Sequence, residues 1–135
     1  MTDANNNISR LDSSLSDKWK FRFEFFEKHG VPGHGAPSPE FHAALKQLHW
    51  TDRIKVTVNF YGFFFSFIYL FVLGLWRQAI LLISAGLALG FIGGMLGLPD
   101  SVINGAGIGL TMACGVRVNA LYYQKKVLGR EDWRV

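Results

Sequence analysis

Between Val56 and Val116 the chain carries only two charged residues, Arg77 and Asp100. They divide it into uncharged stretches at 56–76, 78–99 and 101–116. A bilayer core of about 30 Å takes roughly 20 apolar residues in a helix. Segment 78–98 meets that length. The third stretch meets it by running on to about Tyr123, with Arg117 near its headgroup end. The fold class this implies is an all-α membrane protein built on a transmembrane helical hairpin over 78–123.

The first stretch, 56–76, has another character. Seven of the ten residues from Phe60 to Tyr69 are aromatic, a composition suited to the zone between headgroups and acyl chains. Only Trp76-Arg77-Gln78 separates it from the second stretch, a tight reversal for two full crossings, and Gly62 and Gly74 offer points at which it bends. Charge points the same way. Three crossings from a cytoplasmic N-terminus put the basic C-terminus outside, against the positive-inside rule. If 56–76 lies in the membrane plane or re-enters on one face, Arg77 stays inside and only Pro99–Asp100 is outside. Both termini are then cytoplasmic, and every Lys and Arg is on one side.

The flanks carry the charge. Eight basic and seven acidic residues in 1–55 leave +1, and five basic against two acidic in 117–135 leave +3. A mildly basic flank beside apolar segments points to lipid headgroups rather than to nucleic acid. Residues 1–15 are polar and read as a mobile N-terminus. Residues 1–7 have no apolar core, so no cleavable signal peptide is expected. Residues 16–55 form a cytoplasmic helical region. Ser16 reads as an N-cap and Gly30 as the residue past the helix end. Lys20, Glu24 and Lys28 stand at ion-pairing spacing. Trp19, Phe21, Phe23 and Phe25 also alternate as in a strand, but the caps favour helix. A Gly/Pro linker spans 30–39. Ser38 and Pro39 then open a second amphipathic helix, carried by Phe41, Leu45 and Leu48 to about Trp50. Thr51 and Asp52 offer a further start. Residues 124–135 form a basic cytoplasmic tail.

The hairpin carries small residues four apart: Gly86, Gly90 and Gly94 on one helix, and Gly105, Gly109 and Ala113 on the other. Gly93 and Gly97 form a further pair. Small residues at this spacing let helix backbones approach closely in lipid. The expectation is a hairpin packed on itself, with a homo-oligomer as the alternative. The Gly105–Gly109 run has no preceding strand, which excludes a nucleotide-binding loop.

His29, His34, His42 and His49 lack metal-binding spacing and have no cysteine beside them, so they read as exposed or linker residues and no metal or cofactor is implied. Cys114, the lone cysteine, reads as a buried inert thiol. Proton relays and ion paths in membranes are built from ionisable groups, and from Gln78 to Val116 there is only Asp100. Asn59, Asn104 and Thr111 read as helix-to-helix hydrogen-bonding groups. No nucleophile stands beside a base, so no catalytic residue and no small-molecule substrate is indicated. Arg117 either snorkels to the headgroups or joins Asn119 and the aromatic segment in a polar cluster. Trp76 and Arg77 belong at the cytoplasmic surface. Tyr122, Tyr123, Lys125 and Lys126 form an interfacial anchor.

Lys18-Trp19-Lys20 with Phe25-Phe26, then Phe63-Phe64-Phe65, Tyr69 and Trp76-Arg77, then Asn119 with Tyr122-Tyr123, resemble a family of small bacterial inner-membrane proteins of the YigF/YigG type, a domain of unknown function. The resemblance covers about residues 16–127, with the 30–39 linker particular to this chain. It implies a bacterial inner-membrane location and supplies no catalytic residue or substrate. Three roles stay open at this point. The first is a structural or interaction partner of a membrane complex. The second is a regulatory module binding a cytoplasmic partner through the N-terminal helices. The third is a minor transporter or pore element lined by Asn104, Thr111 and Asn119. The partners expected are the bilayer itself and either a second copy or another membrane protein.

Overall fold

The computed structural model describes residues 15–31, 38–130 and Trp133. All regular structure among them is helical: α1 Asp17–His29, α2 Pro39–Gln47, α3 Trp50–Thr57, α4 Phe60–Val72, α5 Trp76–Met95 and α6 Asp100–Lys126. The strand alternative for the first aromatic run is thereby excluded. By length and composition three stretches suit a membrane crossing: Trp50–Val72, Trp76–Met95 and Asp100–Lys126. The expected mobile N-terminus up to residue 14, most of the Gly/Pro linker and most of the last five residues lie outside the described residues.

The local signals place the N-terminal helices well. Ser16 is extended at the N-cap of α1, and Gly30 follows its end. Lys20 reaches back to Asp17 at 4.0 Å. Ser38 accepts a hydrogen bond from the Phe41 backbone N–H at 3.2 Å, and Pro39 opens α2, where its missing N–H costs nothing. The helix stops at Gln47 rather than near Trp50. A separate helix, α3, starts at Trp50, and Lys55 pairs with Asp52 at 2.8 Å.

Two compact units result: residues 15–58 with 119–130, and residues 59–118 with Trp133. In the first, α1 packs on α2 and α3. Its core gathers Phe23, Phe26, Phe41, Leu45 and Val56 with Tyr123 from the end of α6 and Val127 just past it. Fully burying each such large apolar side chain contributes about 1.5–3 kcal/mol, so the core holds these short helices where intrinsic propensity alone would not.

In the second unit two turns of one design set the helix order. After α4, the Leu75 N–H bonds the Leu70 carbonyl at 2.7 Å and the Gly74 N–H bonds Phe71 at 2.9 Å, with Gly74 at φ 73°. After α5, Leu98 bonds Gly93 at 2.9 Å and Gly97 bonds Gly94 at 3.1 Å, with Gly97 at φ 65°. Both are Schellman motifs, whose left-handed residue only glycine adopts without strain. The reversal before the second apolar helix therefore occupies Leu73-Gly74-Leu75. Trp76, Arg77 and Gln78, expected as the connection, instead form the first turn of α5.

Candidate functional site

Asn59 organises the start of α4. It is 1% exposed, and its side-chain oxygen accepts from the backbone N–H groups of Tyr61 at 3.2 Å and Gly62 at 3.4 Å. This satisfies two of the donors that a helix start leaves open. Its side-chain Nδ2 donates to the Tyr69 hydroxyl at 3.3 Å. Its backbone N–H donates to the Gly115 carbonyl of α6 at 3.0 Å. The approach is close because both surfaces are bare. A Cβ on Gly62 would stand 2.9 Å from Val118 Cγ1, and one on Gly115 would stand 3.2 Å from Phe63 Cβ.

The Asn59–Tyr69 bond reveals the shape of α4. Ten residues of straight helix rise about 15 Å, more than these two side chains bridge. The rings of Tyr61 and Tyr69, eight residues apart, stack at 5.9 Å, where a straight helix would separate them by about 12 Å. The chain doubles back at Ser66, whose φ of 39° and ψ of −113° interrupt the helix. Its hydroxyl donates to the Phe63 carbonyl at 3.3 Å, covering one acceptor freed by the break. α4 is thus two short arms joined at Ser66. The bend falls there and not at Gly62, whose missing side chain serves contact with α6 rather than flexibility.

Beyond the Ser66 tip, α5 and α6 stand apart. They meet again near their connecting turn, where a Cβ on Gly93 would lie 2.8 Å from Ile103. Between lies an open groove of about 900 Å³, lined by Ser66 and Phe67, by α5 from Leu82 to Leu89 and by α6 from Ile103 to Thr111. Its lining is mostly apolar.

The glycines expected at the hairpin seam lie elsewhere. A Cβ on Gly86, Gly90, Gly94, Gly105 or Gly109 would meet nothing within 4 Å. The hairpin does not pack on itself through them, because α5 and α6 diverge over that length. The close approaches belong to Gly62, Gly93 and Gly115.

The expected polar cluster is distributed over separate contacts. Trp76 stacks edge-on to Trp133 at 5.5 Å, and the Arg77 guanidinium lies 5.3 Å and 5.7 Å from those two rings. Arg117 is half-buried in the same unit. In the other unit Asn119, fully buried, donates its side-chain N–H to the Val56 carbonyl at 3.0 Å. Tyr122 lies 4.6 Å from Trp19, and Tyr123 packs edge-on to Phe23 at 5.2 Å. Tyr123 therefore belongs to the core of that unit, and Tyr122, expected with it as an interfacial anchor, packs against that core.

Arg22 was not foreseen. It is 1% exposed, donates its Nε–H to the Lys55 carbonyl at 2.6 Å and sits 4.6 Å over Trp19. Its spacing of three residues from Trp19 is the sequence signal for that stacking. Lys18 is exposed, and partial desolvation first, then the nearby Arg22 and Lys55 charges, hold its pKa below the usual value. Among the described residues no three His, Cys, Asp or Glu side chains gather as a metal site. His34 lies outside them.

A family model described as "Protein of unknown function (DUF2628)" matches residues 9–127. The chain belongs to this family. Among its relatives is "Uncharacterized protein YigF" of Salmonella typhimurium, 44% identical over 122 residues that cover 90% of this chain and 93% of the relative. The protein of the same name from Escherichia coli is 42% identical with the same coverage. No solved structure matches. The matched span, residues 9–127, includes the positions of Asn59, Ser66, Tyr69 and Gly115. The groups that the Asn59 site brings together are neutral amides, hydroxyls and backbone. Such groups fix geometry by hydrogen bonding and do not relay charge at neutral pH.

Proposed function

We propose that this protein is an integral inner-membrane protein without catalytic activity that serves as a structural or interaction partner in a membrane complex. In this reading α5 and α6 cross the bilayer and α4 re-enters from the cytoplasmic face. Pro99–Asp100 lies outside, and both termini are cytoplasmic. The observation that carries the reading is the doubling back of α4 at Ser66. Each arm of about six residues is about 9 Å long, a third of the hydrocarbon thickness. Its first arm starts beside Gly115, late in α6, and its second leads straight into the start of α5. Both ends of α4 thus adjoin the same end of the hairpin. Although Trp50–Val72 is long enough to cross, extended residues at Val58 and Asn59 interrupt it. The placement of every Lys and Arg on one side is consistent with this.

Reporter fusions after Arg77 and after Val135 are expected to read cytoplasm, and a probe in the Pro99–Asp100 loop to read the outside. A periplasmic signal at Arg77 would sink the topology. A role in a complex predicts that mild detergent extraction retains a protein neighbour. Recovery of the bare chain at native expression would count against it.

A second reading, a regulatory module that docks a cytoplasmic partner, is favoured by a groove of about 390 Å³ between α1 and α2. Phe21, Glu24, Lys28 and Gln47 line it with mixed apolar and charged character. Binding of a soluble protein that is lost on Phe21→Ala would select it. A pore has less support, since Ser66, Asn104 and Thr111, the polar residues of the larger groove, are all neutral.

A further inference from the structure

The groove between α5 and α6 has walls of two helical turns each, Leu82–Leu89 and Ile103–Thr111. A helix is about 10 Å across and rises about 5.4 Å per turn, so a space of about 900 Å³ matches two turns of one further helix. Resting on the membrane reading above, we propose that a second copy of this chain fills it, each copy's α6 lying in the other's groove. Asn104 selects this occupant. It lines the groove and is exposed, and its side chain forms no hydrogen bond among the described residues. A carboxamide carries both donor and acceptor. In a parallel two-fold pair of membrane helices each residue faces its own copy at equal depth, so Asn104 meets Asn104 and both are satisfied. An acyl chain offers neither group. Asn104, Gly107, Ile108 and Thr111 follow the i, i+3, i+4, i+7 pattern of one α6 face, which is the self-complementary patch that a two-fold interface requires. Gly86 and Gly107, on opposite walls, would meet nothing at a Cβ, leaving room for close helix approach.

The test uses the full chain in its native membrane, with Cys114→Ala as background and single cysteines at Ile108 or Phe91. Phe91 is exposed but does not line the groove. Oxidation should cross-link Ile108→Cys into a dimer several-fold more than Phe91→Cys. Adding Asn104→Leu should lower that yield about tenfold, near the worth of a good interhelical amide pair, and Asn104→Gln should restore part of it. Equal cross-linking at both positions, or none at Ile108 in protein that resists carbonate extraction, would overturn the dimer alone. A monomer that carries bound phospholipid in native mass spectrometry would overturn it in favour of a lipid occupant. Release by carbonate would overturn the membrane reading and the dimer together.

Discussion

Tyr61 and Tyr69 stack ring on ring at 5.9 Å, although eight residues separate them. That contact, with the Asn59 amide bonded to the Tyr69 hydroxyl, closes α4 into a hairpin of two short arms. Neither arm is long enough to be stable alone. The stack, the Asn59 cap and the Gly62–Gly115 contact must together hold what propensity cannot.

Asn59 should therefore matter more than Tyr69. Asn59→Leu removes the cap and leaves two backbone donors and the Tyr69 hydroxyl without their partner in a buried place, an expected loss of about 1–3 kcal/mol. Tyr69→Phe removes a single 3.3 Å bond and should cost about 1 kcal/mol. Thermal unfolding in detergent measures both. Equal effects would mean that the cap does not hold the arms.

The glycines divide into two classes that substitution can separate. Gly115→Leu drives a side chain into Phe63, where even a Cβ would lie 3.2 Å away, and should cost about 1–3 kcal/mol as overpacking. Gly90→Leu meets open space within one chain and should leave unfolding of the monomer unchanged. Circular dichroism melts of the two variants decide this.

This division marks where sequence reasoning stopped. Ser16, Gly30, Ser38 and Pro39 were legible because capping chemistry is local, whereas the turn expected at Pro99–Asp100 is made at Gly97 and Leu98, and Asp100 already opens α6. The uncharged runs, the all-helical fold and the family were legible too. The use of each glycine was not, since Gly90 and Gly115 look alike until the chain shows which one faces Phe63. Ser66 was equally hidden: a serine among aromatics carries no mark of a break, and the bend is held by contacts across it, from Asn59 and Tyr61 on one arm to Tyr69 on the other. Arg22 is similar, because its burial depends on the Lys55 carbonyl, 33 residues away.

Ser66 holds a backbone conformation that L-residues rarely adopt, at a cost of about 1–3 kcal/mol. Ser66→Gly should relieve that strain while losing the weak bond to Phe63, for a net change between zero and about 1 kcal/mol of stabilisation. Ser66→Val, branched at Cβ, should destabilise by about 2 kcal/mol. Both are read as shifts in detergent melting temperature, and a stable Ser66→Val would argue for a continuous helix.

Lys18 sets a pH dependence. Its folded pKa lies below its ordinary value through partial desolvation and the Arg22 and Lys55 charges, so the fold disfavours its ammonium form, weakly because the side chain is largely exposed to solvent. The unfolded chain then binds more protons between the two pKa values, and stability rises with pH across that window. The gain is complete above the unfolded value near 10.5 and is lost as pH falls through the folded one. Lys18→Met should raise the neutral-pH melting temperature slightly, by no more than an exposed, screened charge allows, and flatten the alkaline rise. A variant that melts lower at neutral pH would show that Lys18 has a favourable role there.

The placement of α4 is open to direct chemical mapping. A re-entrant hairpin presents both of its ends to one aqueous face and its tip to protein or hydrocarbon, because backbone freed at a break must be covered there. Tyr61 and Val72, both exposed and near opposite ends of α4, should each react as cysteines with an impermeant maleimide from the cytoplasmic side. Ser66→Cys, at the tip, should be protected from either side. The native thiol, Cys114, is buried, and Cys114→Ala removes any residual background. In inside-out vesicles both end positions are expected to label and the tip to stay silent, with the reverse orientation labelling none of the three. If one end labels only from the outside, α4 crosses the bilayer. Arg77 would then lie outside, and the two-crossing arrangement would have to be given up.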